Sequence, residues 1–241
     1  MGIHRGLAST IVTDNLIYMI DPANQLSYIS GSSVTFNRAL DASKLDYPNS
    51  GSLTNGVAFN SSGSGCFVFD GSDDYIELGS IDSSNPLSLY GQNEFSIDMW
   101  LAPEFEGDDY QRILDKSDAG SGTNGWSIFQ RPASKYTYLY IDATGVSTYQ
   151  DNGASSGIWR NYLWTRKGTT TKLYVNGSLV DTEYVTKSVP SDTTGMRIGS
   201  WNHSTGREYN GKMGCIKVYN KQLSEAEVLK NYNALKTRYE L

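Results

Sequence analysis

The sequence predicts an all-β protein, two packed antiparallel sheets with one short α-helix near the C-terminal end. Three observations carry that expectation. Phe95–Leu101 alternates apolar residues (Phe95, Ile97, Met99, Leu101) with Ser96, Asp98 and Trp100, the period of two of a strand. Lys172–Asp181 sets two β runs around Asn176-Gly177, a strong hairpin signal. About a dozen such short segments, separated by turn residues, have the spacing of a sandwich or jelly roll.

Taken in order, Met1–Thr13 lacks strand periodicity and is expected to be an extended arm. Leu16–Ile20 is a first strand, closed by Asp21-Pro22, and the polar stretch Gln25–Leu53 is expected to be a long loop. Asn55-Gly56 turns into Val57–Phe59. The centre of the chain is Phe67–Leu78 (FVFDGSDDYIEL), where an apolar strand end meets an Asp/Gly turn and a second strand resumes at Tyr75. After Phe95–Leu101, ended by Pro103, come Arg112–Lys116 and Trp126–Gln130. Tyr136–Ile141 puts Tyr136, Tyr138 and Tyr140 on one face and Thr137, Leu139 and Ile141 on the other. Residues 145–157 are expected to be loop, and Trp159–Arg166, Met196–Trp201 and Lys212–Tyr219 are the remaining strands.

The helix spans 224–236. Ser224 is its N-cap and Glu227 the capping-box partner, while Leu223 and Val228 occupy the positions of a hydrophobic staple. Val228, Leu229, Tyr232 and Leu235 form one apolar stripe, so the helix is expected to dock on the sandwich.

Composition removes several function classes. The chain has 241 residues, 38% of them hydrophobic, enough to bury a core, and 17 Tyr against 7 Phe. A formal net charge of −6 with no Lys/Arg run argues against nucleic acid. No apolar stretch approaches the ~18 residues of a membrane span. The first nine residues lack the apolar core of a signal peptide and the pattern for myristoylation. A soluble protein released into a cytoplasm is therefore expected, with Cys66 and Cys215 reduced and buried. A disulfide requires that their two strands pair.

Candidate chemistry is sparse. Hydrolysis of a glycoside needs two positioned carboxylates, and the nearest approach, Glu106-Gly107-Asp108-Asp109, falls in an expected loop where alternation does not hold. His4 and His203 are far apart, and neither has a metal-ligand spacing to a cysteine. Asp70, Asp73 and Asp74 offer oxygens to a structural Ca²⁺; in the alternative reading Asp70 and Asp73 cap a turn and Asp74 begins a strand. Asp98 with Trp100, and Tyr136, Tyr138 and Tyr140, lie opposite the aliphatic sides of their strands. Sugar rings stack on such aromatic platforms, so these five are the candidate ligand-binding residues. A subunit interface and a covering by loops are the competing readings of the same faces.

FDGSDDYIEL, FSIDMWLAP, KLYVNGSLV, MRIGS and YNGKMGCIKVYNKQLSEAEVLKNYNAL occur in a fixed order. The series resembles the laminin-G-like, concanavalin-A-like jelly-roll domains over nearly the whole chain. The ends, IVTDNLIYMIDPANQLSY and LKNYNALKTRYEL, resemble stand-alone versions carried by tailed phages of marine bacteria. The resemblance implies a domain over 14–241 preceded by the arm 1–13, and a virion component or glycan binder rather than an enzyme. Where family members carry an acidic residue in the closing strand, this chain has Gly214-Cys215, which removes one ligand of any calcium site built there. Three functions therefore compete: a virion surface protein, a glycan-binding adhesin and, last, a glycosidase. The virion reading implies other virion proteins as partners. It also implies a homo-oligomer, a trimer by analogy with phage appendages, with Leu7, Ile11 and Val12 of the arm buried against a neighbour.

Overall fold

The computed structural model describes residues 11–39, 50–62, 65–106, 110–118, 123–191, 194–203 and 205–241. Two antiparallel sheets, each of eight strands, stack into the expected sandwich. The first sheet runs, in spatial order, β14 (Ser178–Tyr184), β13 (Thr170–Val175), β12 (Arg160–Lys167), β7 (Glu94–Pro103), β16 (Asn210–Tyr219), β5 (Cys66–Asp70) and β4 (Ala58–Asn60). Its eighth strand, β1 (Leu16–Ile20), pairs with Ile216–Tyr219, while β5 pairs with Asn210–Met213 on the same strand β16. The second sheet runs β11 (Thr144–Gln150), β10 (Tyr136–Ile141), β9 (Trp126–Arg131), β8 (Gln111–Lys116), β15 (Gly195–Ile198), β6 (Tyr75–Ser80), β3 (Ser50–Thr54) and β2 (Val34–Phe36).

Alternation directs one face of each sheet inward. Ile97, Met99 and Leu101 meet Ile113, Ile128 and Leu139 in one buried cluster between the sheets. Strand β7 is buried on both faces, however. Its second face lies under a second apolar cluster made with the helix α1 (Glu225–Leu235) and the segment before β1. The capping box at Ser224 and Glu227 forms as expected, with the reciprocal pair of side-chain-to-backbone bonds. Leu229 leaves the expected stripe and is exposed; Asn231 takes a place on the buried face instead.

Several expectations change. The Asp70–Asp74 turn leads from β5 of the first sheet to β6 of the second, so it is a crossing between sheets and not a hairpin within one. Part of the expected loop 145–157 is the edge strand β11, joined to β10 through Asp142 and Ala143, both with positive φ. The expected loop 25–53 contains β2 and part of β3, short polar strands whose pairing is supplied by β6. Ile11 and Val12 do not reach for a neighbour: both are buried within their own domain, and the Val12 N–H donates to Asn231 Oδ1 at 2.8 Å. Leu7, with residues 1–10, lies outside the described residues. Cys66 and Cys215 are free and buried, and burial pushes the Cys215 thiol up to about 12. No helix among the described residues is long and apolar enough to cross a membrane.

Candidate functional site

The two outer faces of the sandwich have different fates. On the first sheet, the Trp100 indole is fully buried, stacked between Tyr232 (centroids 5.8 Å apart) and Tyr239 (4.4 Å). Asp98 beside it is also fully buried, with Oδ2 2.8 Å from Lys217 Nζ. Asn161 donates to its Oδ1 at 2.7 Å and Asn231 of the helix to its Oδ2 at 3.0 Å. Burial alone would lower the Lys217 ammonium, but the Asp98 carboxylate outweighs it and holds the group above its ordinary range. Asp98 and Trp100 are thus no part of an exposed platform. Alternation puts them on the outer face as expected, but α1 and the turn after it close that face. Gly214 completes the closure, because a methyl at that position would run into the Tyr239 hydroxyl, which accepts the Cys215 N–H at 2.8 Å.

The second sheet keeps its outer face open over β10. Tyr136, Tyr138 and Tyr140 are each half-buried, while Thr137, Leu139 and Ile141 between them are buried. Tyr136 and Tyr138 lie nearly parallel, centroids 5.7 Å apart, and Tyr138 meets Tyr140 edge-on at 5.8 Å. Register adds the cross-strand neighbours: Tyr136 sits between Arg131 and Gln150, Tyr138 between Phe129 and Thr148, and Tyr140 between Ser127 and Gly145. Phe129 stacks on Tyr138 at 4.8 Å and underlies the row. Burial raises the Tyr138 phenol, and its hydrogen bond to Arg131 works the other way. The row therefore stays neutral at physiological pH and presents rings flanked by hydroxyl, amide and guanidinium groups.

Beside the tyrosines lies an arginine–aromatic cluster that sequence reading did not single out. Arg112, opposite Phe129 in the β8–β9 register, holds its guanidinium carbon 4.3 Å from the ring centroid. Its Nε is 3.1 Å from Asp115 Oδ2, and both side chains are fully buried. Burial drives the Arg112 guanidinium down to about 10 against the pull of Asp115, and the like charge of Arg207 adds to the lowering. The same burial raises the Asp115 carboxyl to about 7, opposed by Arg112. Tyr110, exposed, takes the Arg131 guanidinium at 4.9 Å and that of Arg207 at 5.7 Å. Arg207 also lies 4.1 Å from the Trp201 ring. Alternation in β9 assigns Phe129 and Arg131 to the outer face, so that half was legible. Arg207 and Trp201 arrive from the segment between β15 and β16, which has no period to read.

The acidic turn is the third candidate. Single carboxylate oxygens of Asp70, Asp73 and Asp74 lie within 4.8 Å of one another. Asp74 Oδ2 accepts the Asp70 N–H at 3.0 Å, and Asp70 Oδ1 accepts that of Ser72 at 2.8 Å, so both turn-capping roles are present. Burial raises the Asp74 carboxyl, with the charges of Asp70 and Asp73 adding to the rise. The convergence fits a hard cation, of whose six to eight oxygens the trio would supply three. Of the acidic run at 106–109, Glu106 is exposed and 107–109 lie outside the described residues.

With this geometry established, the comparisons fall into place. The family model of the concanavalin A-like lectin/glucanases superfamily, Laminin_G_3, matches residues 70–229, and the chain belongs to that family. Among solved structures, the receptor binding domain of a botulinum neurotoxin C/D mosaic serotype is similar, with a TM-score of 0.67 and 14% identity over 92% of this chain and 52% of that one. A botulinum neurotoxin DC binding domain, solved with rat synaptotagmin II, gives 0.66 and 14% over 93% and 52%. The chain thus spans about half the length of these toxin domains. Domain 4 of AbnA, a GH43 extracellular arabinanase from Geobacillus stearothermophilus solved with arabinotriose, gives 0.62 and 14% over 90% of this chain and 98% of that one. At such identities the likeness is one of fold. No curated protein matches the chain.

Proposed function

We propose that this protein is a non-catalytic saccharide-binding jelly roll whose platform is the open face of β10, with Tyr136 and Tyr138 stacking on sugar rings. The observation that carries the reading is the row of half-buried tyrosines, over which no helix or strand of the described residues packs. A ring already held by Phe129 loses little freedom on binding, and Gln150 and Thr148 stand beside it to meet hydroxyls. The solved relatives support the class: one was captured with arabinotriose and another toxin binding domain with SialylT. A binding rather than hydrolytic role is supported by the acids on this sheet face, since Asp115 is paired with Arg112 and Glu77 with Arg197 at 2.8 Å.

The proposed setting is a virion surface, where the protein would act as a homo-oligomer beside other virion proteins. The phage-like ends support the setting. Single stacking sites bind weakly, and several on one assembly bind by effective concentration. The edge strand β14 exposes Leu179, Val180 and Tyr184, a surface suited to a subunit contact. The test is a glycan array probed with the full chain and with Tyr136→Ala/Tyr138→Ala, melting curves being recorded in parallel. Binding that the double variant loses while its melting stays within a few degrees is expected; binding that survives intact overturns the platform. Mass spectrometry of purified particles tests the setting.

A further inference from the structure

We propose that the saccharide taken by this face is anionic, carrying carboxylate or sulfate groups that Arg131 and Arg207 grip on either side of Tyr110. The inference rests on the saccharide-binding reading and narrows it. The chain carries a net charge of −6 and only nine arginines, yet four of them (Arg112, Arg131, Arg197 and Arg207) collect on the outer side of the second sheet. A protein of this sign repels anions at long range, so a local cationic cluster is where an anionic ligand would be held.

The four differ in how their charge is met. Arg197 is paired with Glu77 and packs 4.2 Å from the Tyr75 ring. Arg112 is paired with Asp115, yet its buried Nη2 has no hydrogen-bond acceptor among the described residues. Arg207 has no ion pair among the described residues and rests on two rings, Trp201 and Tyr110. Arg131 bonds the Tyr138 phenol and faces the same Tyr110 ring. Two guanidinium groups within 6 Å of one exposed tyrosine centroid repel each other, and an anion between them would relieve that repulsion. A planar guanidinium, held flat on an aromatic face, keeps its edge N–H groups free to meet a carboxylate or sulfate in a forked geometry.

The cluster is continuous with the sugar platform. Tyr110 contacts Phe129 at 5.9 Å, Phe129 stacks on Tyr138, and Arg131 stands opposite Tyr136 in the register. A chain of sugars lying along Tyr136 and Tyr138 would therefore bring its acidic substituents to Arg131 first and Arg207 next. Trp201, with His203 at 5.8 Å, extends the surface beyond Arg207.

The experiment measures binding of the full chain to polygalacturonate and its fully methyl-esterified form, and to dextran sulfate and plain dextran. A single-stranded DNA oligomer serves as a non-saccharide polyanion, and all titrations are run at 50 and 300 mM NaCl. Tight binding to one acidic polymer, not to its neutral twin, is expected, and which of the two it is separates carboxylate from sulfate. Arg207→Gln should weaken it roughly ten-fold or more, the scale of one charged hydrogen bond. Arg207→Lys, which keeps a cation without the fork, should fall between. Both variants should melt as the parent does. Equal, Tyr138-dependent binding of neutral and acidic polymers would overturn the anionic inference and leave the platform standing. Binding to none of the four polymers would overturn both, and equal or tighter binding of the DNA oligomer would overturn the inference in favour of a nucleic-acid partner.

Discussion

Replacing Lys217 with Met tests how the first sheet is closed. The substitution keeps the length of the stem and removes the charge, leaving the fully buried Asp98 carboxylate without its cation. Breaking a buried pair in this way typically costs about 3–5 kcal/mol. Here Asn161 and Asn231 still donate to both carboxylate oxygens, so we expect the lower end, about 3 kcal/mol. For a chain of this size that corresponds to a fall in Tm of roughly 6–12 °C. The loss should also depend on pH. Without Lys217 the native state favours protonated Asp98, raising its folded pKa above the unfolded value of about 3.9. The penalty is then full at pH 8 and shrinks as pH falls toward 5. In the parent, Lys217 is held above its unfolded value, so its contribution is complete at neutral pH and is lost only above about pH 10. Urea denaturation of both proteins at pH 5 and pH 8 reads these differences directly. A loss below about 1 kcal/mol at pH 8, or one that does not change with pH, would refute the argument that this pair fixes the helix to the sheet.

Two further outcomes are expected. Trp100→Ala should cost about 3–5 kcal/mol of stability through the cavity left between Tyr232 and Tyr239, and glycan affinity in the folded variant should be unchanged; a stable variant that has lost binding would return Trp100 to the platform. If the Asp70–Asp74 turn holds structural Ca²⁺, ligand at 100 times its Kd adds about 2.7 kcal/mol, so melting in calcium should exceed melting in EDTA by several degrees and Asp74→Asn should abolish the difference; identical curves would retire the metal.

What was legible followed local rules. The alternation of Phe95–Leu101, the Asn176-Gly177 turn and the capping box at Ser224 each depend on neighbours in the chain, and each forms as expected. Strands β2, β3 and β11 were not legible because their residues are short, polar or glycine-bearing; they are strands because a paired neighbour satisfies their backbone. Asn231 shows the same limit within the helix. It looks like a polar interruption of an apolar stripe, and only the fold brings it to Asp98, Tyr219 and Val12 at once.

Trp100 and Tyr138 look alike in the sequence, since each is an aromatic residue on the second face of an alternating strand. Period two assigns a side chain to a face and says nothing of what lies upon that face. The difference comes from about a dozen residues far along the chain, where α1 and the turn to Tyr239 pack on β7 and β16. The closing segment meets Trp100 with two rings and Asp98 with an amide, which makes the first sheet's outer face a core. On the second sheet the row at β10 has Phe129 beneath it and no such cover among the described residues. The aromatic count therefore could not locate a site, whereas the pairing of each polar group does. Asp98 is met on every side by this chain's own residues, while Arg207 is met only by rings, and an arginine so placed leaves its N–H edge to a ligand.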